Sequence, residues 1–135
     1  MNGPGLRAID VTPPMFPPKR VKIILEGERP LSTNDYYTGK HWSKRSAETN
    51  RVKLVVREQI DPEVAHMFTS RVDILVTAYF MGNTQDSGNV STKPYIDALI
   101  GWYIEDDDIK HVRRVTTESR KDNKRPRVEI ELIAV

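Results

Sequence analysis

The pattern of hydrophobic and polar positions predicts four strands. Residues 20–27 place Val21, Ile23 and Leu25 at a period of two, as a strand does. Residues 71–80 are rich in Val, Ile, Tyr and Phe, which is typical of a central strand. The last two predicted strands are 111–120 and 127–135, and the polar segment 121–126 between them is predicted to be a hairpin loop.

Two helices are predicted between these strands. The longer one begins near Ser43 and is closed by Pro62, with apolar residues at helical spacing at Val52, Val55, Val56 and Ile60. A short helix starts at Lys93 or Pro94, and Gly101 helps to end it. The predicted fold class is therefore α+β, a single domain with a mixed sheet and two helices in the order β-α-β-α-β-β.

Composition indicates one compact domain preceded by an arm. The chain has 135 residues, of which 38% are hydrophobic, enough for one real core. Five of the nine prolines lie within the first 19 residues, so we expect residues 1–19 to be a flexible or extended arm and residues 20–135 to be the folded domain. The arm can embrace DNA or a partner subunit, although a disordered tail is the simpler expectation.

Several classes of protein are excluded at this stage. No apolar run approaches the length of a membrane span, and the N-terminus lacks a secretory pattern, so we expect a soluble intracellular protein. The chain has no cysteine and three histidines, which excludes disulfides and zinc thiolate sites and makes a hydrolytic zinc centre improbable.

The acidic residues are grouped unusually. Glu105 to Asp108 form an unbroken acidic run, and Asp86 precedes it in the Gly, Asn and Ser loop 81–92. Neighbouring negative charges repel one another, and a fold tolerates this repulsion where a hard divalent cation lies among the carboxylates. Because the second strand ends at Phe80 and the short helix starts at Lys93, we expect Asp86 and Lys93 at the same end of the sheet, within reach of the run. Carboxylates converging beside a lysine suit metal-assisted phosphodiester hydrolysis.

The remaining charge favours a polyanionic partner. The formal net charge is +2, and without the four carboxylates of the run the balance is 21 basic against 15 acidic residues, or +6. Basic residues gather at 40–57, 110–114 and 120–127. The plainer interpretation is a set of ordinary solvated faces.

Residues 31–37 (LSTNDYY), residues 93–101 (KPYIDALIG) and Glu105-Asp106-Asp107 follow one another along the chain. In type and order these three segments resemble those of the RusA-type Holliday junction resolvases, small phage and prophage endonucleases. Residues 93–101, KPYIDALIG, are similar to the family's K-P-x-x-D-A-L-x-G segment, and Glu105-Asp106-Asp107 to its E-D-D. Residues 31–37, LSTNDYY, resemble its early asparagine-rich loop. The likeness covers nearly the whole chain after the arm.

The resemblance implies a set of site residues. Asp86, Lys93 and Asp107 would be catalytic, and Asp86, Asn89, Asp106 and Asp107 would hold Mg²⁺, or Mn²⁺. The family's D-x-D-N stretch is here Asp86-Ser87-Gly88-Asn89, without the second aspartate and with Asn89 one residue further from Lys93 than the family spacing. Either Asn89 takes the place of the missing acid, or it matches the family's asparagine and the acid is lost; Asp108 is a spare acid.

The loop before the long helix is a candidate DNA contact. It mixes polar, aromatic and basic side chains that can stack on bases and hold phosphates, namely Asn34, Tyr36, Tyr37, Lys40, Trp42, Lys44 and Arg45. These aromatic residues can equally anchor the loop to the core.

The other candidates have plain alternatives. Asp86 and Asn89 are common turn formers. Lys93 and Asp97, four apart, can form a surface ion pair worth about 0.5 kcal/mol or less. We expect His111 to be solvated rather than a ligand. Trp102 and Tyr103 are expected in the core.

The sequence and the resemblance together predict a metal-dependent endonuclease that resolves Holliday junctions or other branched DNA during recombination and repair. A junction with two-fold symmetry calls for a homodimer. The resemblance further implies a phage or prophage protein in the bacterial cytoplasm. The alternatives are a cleavage-deficient module that binds junctions or single strands, motivated by Asn89, and a small interaction protein whose acidic run is a solvated loop.

Overall fold

The computed structural model describes residues 19–37 and 42–135, and within these it leaves aside the side chains of Asn34, Tyr37 and residues 42–44. The predicted arm lies almost wholly outside the described residues. The described elements are β1 Arg20–Glu26, α1 Thr33–Tyr37, α2 Trp42–Glu58, β2 Val72–Phe80, a 3₁₀ helix Ser87–Asn89, α3 Lys93–Asp97, β3 Val112–Lys121 and β4 Arg127–Ala134. The predicted α+β class and its order are confirmed, and the short helix α1 is an addition to them.

The four strands form one mixed sheet in the order β1, β4, β2, β3. β4 lies antiparallel to both of its neighbours, β1 and β2, whereas β2 and β3 are parallel. The parallel pair requires a crossover, which the 3₁₀ helix and α3 provide. This crossover contains every residue predicted to be catalytic.

The predicted hairpin between the last two strands is wrong. Residues 121–126 do not join neighbouring strands, because β2 lies between β3 and β4. The segment instead crosses the end of β2, where the Asp122 N–H donates to the Phe80 carbonyl at 2.8 Å. On the far side the Gly27 N–H donates to the Pro126 carbonyl at 2.9 Å, which joins the connection to the end of β1.

The core lies on one face of the sheet. Alternate residues of the strands face α2 and α3, and the fully buried members include Ile74, Val76, Ile130, Leu132, Val52 and Val56. The predicted helical stripe of α2 thus packs as expected, with Ile60 buried just beyond its end. Tyr103 is buried and Trp102 packs against the core, which confirms their predicted role.

The opposite face of the sheet carries charged side chains that pair between strands. Lys22 lies 3.0 Å from Glu129, and Arg127 lies 2.7 Å from the same carboxylate. The Arg127 guanidinium also stacks 3.7 Å from the centre of the Tyr79 ring. Such polar cover is usual where one face of a mostly antiparallel sheet meets water. No helix among the described residues is long and apolar enough to cross a membrane.

Candidate active site

The loop that carries Asp86 is attached to the outer edge of β3. The Ser119 N–H donates to the Ser87 hydroxyl at 2.9 Å, and the Ser119 hydroxyl donates to the Gln85 carbonyl. Between these two contacts Asp86 has extended backbone angles and an exposed side chain. The Asn89 N–H donates to the Asp86 carbonyl at 2.8 Å and closes the 3₁₀ turn. The loop therefore presents Asp86 to solvent from a fixed position beside Ser119.

α3 presents Lys93 from a buried base. Pro94, Tyr95 and Ile96 are buried, whereas Lys93 at the first position is exposed. The Lys93 Nζ lies 3.3 Å from the Asp97 carboxylate four residues on, so the expected surface ion pair is present. The Lys93 side chain is 53% exposed beside this ion pair.

A buried polar network that sequence reasoning missed holds α3 in place. The Tyr95 hydroxyl donates to the Glu28 carboxylate at 2.7 Å, and the Arg51 guanidinium donates to the same carboxylate at 3.0 and 2.8 Å. Glu28 is 7% exposed and Tyr95 1%. Burial, followed by the Glu28 charge, raises the pKa of Tyr95 far above its usual range, so the phenol stays a donor. The only sequence signal was an isolated acid after β1, which does not reveal its burial.

The network joins three elements behind Lys93. Glu28 follows β1, Arg51 belongs to α2 and Tyr95 to α3. Arg51 also donates to Glu48 at 3.0 Å, and its hydrogen bonds to Glu28, then to Glu48, hold its pKa above the ordinary value. Hydrogen bonds to a buried carboxylate are stronger than in water, and they hold their donors in one arrangement. The start of α3 is consequently rigid.

The acidic run lies in the turn that leads into β3. The Asp108 carbonyl accepts from the Val112 N–H at 2.9 Å, and its carboxylate accepts from the Lys110 N–H at 3.2 Å. The Asp106 carboxylate accepts from the Asp107 N–H at 2.8 Å. These bonds give the run a defined shape in which Glu105, Asp106, Asp107 and Asp108 are all exposed.

His111 connects the two ends of the run. Its Nδ1 lies 2.6 Å from Asp108 and its Nε2 3.2 Å from Glu105. His111 stays at the surface with 28% of its side chain exposed, and both ring nitrogens have carboxylate partners that the sequence reasoning did not foresee. The hydrogen bond with Asp108 raises the pKa of His111, with the charges of Asp108 and Glu105 acting in the same direction. The same hydrogen bond lowers the pKa of Asp108. A spacing of three residues between Asp108 and His111 was the available sequence signal.

Three candidate carboxylates stay without a basic partner. Within the described residues, Asp86, Asp106 and Asp107 take part in no salt bridge, whereas Glu105 and Asp108 pair with His111. Carboxylates that no cation of the protein neutralises are those able to bind a metal ion. The acids that the resemblance assigns to the metal have this property, which they share with other exposed acids such as Asp61 and Glu63.

The structure does not bring these acids together within one chain. No group of three or more acidic or histidine side chains suited to a metal ion occurs in residues 19–37 and 42–135. Asp86 lies beside Ser119, near the end of β3, while the acidic run precedes Val112, where β3 begins. Seven residues of strand span about 23 Å. The expected reach of the run to Asp86 is therefore not seen inside a single chain.

The candidate DNA contacts are only partly described. Lys40 and His41, and the side chains of Asn34, Tyr37, Trp42 and Lys44, lie outside the described part. Tyr36 is a correction, since its side chain is 4% exposed and its hydroxyl lies 2.7 Å from the Thr49 hydroxyl. It anchors α1 to α2 and is too buried to stack on a base. Arg45 is partly exposed on α2.

Many of the predicted basic residues already have acidic partners. Arg113 pairs with Asp73, Arg120 with Glu118, Arg125 with Glu26, and Arg127 with Asp122 and Glu129. In the described chain Lys110, Arg114, Lys121 and Lys124 are exposed and form no salt bridge. The basic surface available to a polyanion is thus smaller than the sequence count. Lys121 and Lys124 lie at the end of the sheet from which the Asp86 loop departs, whereas Lys110 and Arg114 lie near the start of β3.

No protein-family model matches this chain, and no curated protein matches it significantly.

Proposed function

We propose that this protein is a metal-dependent, structure-selective endonuclease that nicks four-way junctions and related branched DNA. The observation that carries the proposal is that Asp86, Asp106 and Asp107, the acids of the RusA-like segments, are exposed and form no salt bridge among the described residues. The KPYIDAL segment lies between these acids in the sequence, and its first five residues form α3. The RusA-type order of segments supports the same activity.

Each residue has a role that follows from its position. The resemblance assigns Asp86, Asp106 and Asp107, with Asn89, to Mg²⁺ or Mn²⁺, and their oxygen atoms are the ligands these ions prefer. Because the length of β3 separates Asp86 from the acidic run within one chain, a site that uses all of them would need the homodimer expected from the sequence. Such an ion activates water and stabilises charge on the scissile phosphate. Lys93 lies at the start of α3 beside Asp97, and its positive charge would contribute electrostatic stabilisation to a phosphate. Lys121 and Lys124 extend the positive surface towards the DNA backbone.

The decisive experiment is a nicking assay on a mobile four-way junction and a linear duplex of the same sequence. It is run with Mg²⁺, with Mn²⁺ and with a chelator. Cuts in the junction alone, lost with the chelator, are the expected result. Equal cutting of the duplex, or cutting that persists in the chelator, contradicts the proposal.

A second candidate function is a binding module that has lost cleavage. It is favoured by one observation: the residue that closes the Asp86 turn is Asn89, a neutral amide that is a weaker cation ligand than a carboxylate. Under this proposal the protein binds junctions without metal and does not nick them. Asn89→Asp then creates cleavage, whereas under the endonuclease proposal it changes an existing rate. The wild-type assay separates the two.

A further inference from the structure

A cleft opens at the end of the sheet where β1 and β2 finish. It is lined by residues 27–29 after β1 and residues 79–81 at the end of β2, with Pro126 between them, and its volume is about 160 Å³. Because β4 lies between β1 and β2, the two walls stand roughly 10 Å apart, twice the spacing of neighbouring strands. Stacked groups lie about 3.5–4 Å apart, so a gap of this width admits a flat ring.

Arg29 extends across this cleft. Its guanidinium lies over the Phe80 ring, 4.8 Å from the ring centre, and donates to the Asn83 carbonyl at 3.3 Å. Arg29 is exposed, and no carboxylate of the described residues pairs with it. Met81, which follows Phe80, is 59% exposed and adds a polarisable thioether. A planar guanidinium held in this way is a surface on which a nucleobase can stack.

The charge left unpaired around the cleft is positive. Lys121 lies opposite Phe80 in the register of β2 and β3, and Lys124 lies in the connection 121–126 that crosses the end of β2. Both lysines are exposed and form no salt bridge in the described chain. This distribution is complementary to the phosphates of a nucleic acid strand. The acids of the same region are already engaged, namely Glu26 with Arg125, Glu28 with Arg51 and Asp122 with Arg127.

The cleft is joined directly to the loop that carries Asp86. The Gln85 side-chain amide donates to the Pro30 carbonyl at 2.9 Å, one residue beyond Arg29. Arg29 in turn donates to the Asn83 carbonyl. These two contacts hold the loop against the segment that follows β1. Asp86, the residue after Gln85, therefore lies close to the cleft and in a fixed relation to it.

We propose that this cleft binds one unpaired base of a DNA strand, with the base stacked on the Arg29 guanidinium and the adjoining phosphates near Lys121 and Lys124. The inference deepens the proposed function and rests on it for the choice of branched DNA. Bases at a branch point are the ones whose unstacking costs least. Every base has a π-face, so the cleft stacks a base without reading its identity. A strand held there passes the exposed carboxylate of Asp86.

The test compares the binding of two single strands of equal length, an oligothymidine and an abasic strand, in the presence of a chelator. Both strands carry the same phosphates, so the difference between their affinities measures the contribution of the base. The wild type is expected to bind oligothymidine roughly tenfold more tightly, the effect of one stacked base. Equal affinity of the wild type for the two strands overturns the proposal.

Arg29→Lys separates stacking from charge, because lysine keeps the positive charge and lacks the planar group. This variant should lose most of the tenfold preference while the salt dependence of oligothymidine binding stays unchanged. Arg57→Lys is the matched control, since Arg57 is an exposed arginine in the last turn of α2 without a salt bridge in the described chain. It should keep the preference. Retention of the full preference by Arg29→Lys, or equal loss in both variants, overturns the stacking site.

A variant that leaves Arg29 and Phe80 in place gives an independent measurement. Met81→Glu puts a negative charge at the exposed rim of the cleft, so the melting temperature should stay unchanged. Oligothymidine binding should weaken about fivefold or more, the effect of two like charges about 4 Å apart in water. Leu54→Glu, at a position 67% exposed on α2, makes the same change of charge and should have little effect. Equal weakening by the two variants overturns the position of the strand.

The base site and the proposed function can fail separately. A wild type that prefers oligothymidine but nicks no junction supports the cleft and rejects the endonuclease, which leaves a binding module. A wild type that nicks junctions but binds the abasic strand and oligothymidine equally overturns the base site alone.

Discussion

Asp107 is the residue whose substitution separates function from structure. Its carboxylate is exposed and takes part in no salt bridge within the described chain, so Asp107→Asn should change the free energy of unfolding by less than about 0.5 kcal/mol. We expect junction cleavage to fall by roughly 100-fold or more, because a metal ligand contributes several kcal/mol to catalysis. Junction binding should persist or tighten, since a carboxylate that repels phosphate has gone. Cleavage rates and binding isotherms provide the measurement.

The control for this substitution is Glu63→Gln. Glu63 is also exposed and also forms no salt bridge in the described residues, but it lies in the turn after α2, away from the acidic run. The Glu63→Gln variant should cleave junctions at the wild-type rate. Equal loss of cleavage in both variants would mean that overall charge, rather than a site, governs the activity.

His111 provides a prediction on pH. Because its pKa is raised, chiefly by the hydrogen bond with Asp108, its pairing should stabilise the fold fully below the unfolded value of 6.5. The contribution is lost as the pH rises through the raised pKa. The lowered pKa of Asp108 acts at the other limit: its contribution is present above the ordinary value of 3.8 and is lost as the pH falls through the lowered one. NMR titration should give a His111 pKa above 6.5 that Asp108→Asn lowers, and a value at or below 6.5 contradicts the geometry.

At the scale of single residues, the sequence did not reveal which polar side chains are buried. Asp86 and Asp107 lie in polar segments and are exposed. Tyr36 and Glu28 could not be placed in this way, because burial of a polar side chain depends on partners far along the chain, such as Thr49 and Tyr95.

At the scale of elements, the buried network between Glu28, Arg51 and Tyr95 predicts how firmly α3 is held. Tyr95→Phe removes one hydrogen bond to a charged, buried acceptor, which should reduce the free energy of unfolding by about 1.5–3 kcal/mol. The two hydrogen bonds from Arg51 to Glu28 remain, so the fold should survive. Chemical denaturation measures the difference.

Tyr79→Phe is the matched control, since it removes the same hydroxyl from β2 while keeping the ring under Arg127. No hydrogen bond involving the Tyr79 hydroxyl occurs among the described contacts, and the expected change is below about 0.5 kcal/mol. Equal destabilisation by the two substitutions would show that the Tyr95 hydroxyl contributes nothing specific.

The elements themselves were well predicted, whereas their pairing was not. The period of two identified β1, because alternation reflects the local face of a strand, and the content of Val, Ile, Tyr and Phe identified β2. The predicted bounds of all four strands agree with the structure within one residue. Alternation carries no information on neighbours, and short connections usually join adjacent strands, hence the wrong hairpin. The charges of β3, with Arg113, Arg114, Arg120 and Lys121, suit an edge strand and were the available signal that β3 lies at the border.

At the scale of the whole molecule, the ion pairs predict which basic residues contact DNA under the proposed function. Lys124 forms no salt bridge in the described chain and lies in the connection 121–126, at the end of the sheet from which the Asp86 loop departs, so Lys124→Ala should weaken junction binding equally for all sequences. The log-log salt dependence of the binding constant should decrease by roughly 0.9, the value for one phosphate. Lys22, which already pairs with Glu129, is the control position, and Lys22→Ala should leave the slope unchanged. Binding titrations at several salt concentrations measure the slope for each of the two variants.

The chemistry of the candidate site was more predictable than its assembly. Asp86, Lys93 and Asp107 were chosen by type and order, which sequence contains. Their distances depend on the path of the crossover along β3, and that path is set by contacts such as Ser87 with Ser119, thirty-two residues apart. A local pattern cannot encode such a contact.

The central position of β4 has a consequence for biosynthesis. β4 is the last of the four strands to leave the ribosome, yet it separates β1 from β2 and hydrogen-bonds to both. Until β4 emerges, β1 has no neighbour in the sheet, and the edge of β2 that β4 will occupy has unpaired backbone groups. The nascent chain must therefore remain largely unfolded until translation of the domain is almost finished, and it then closes through contacts that are distant in sequence, a slow topology. Chaperone binding during synthesis should accordingly persist until residues 127–134 have been released.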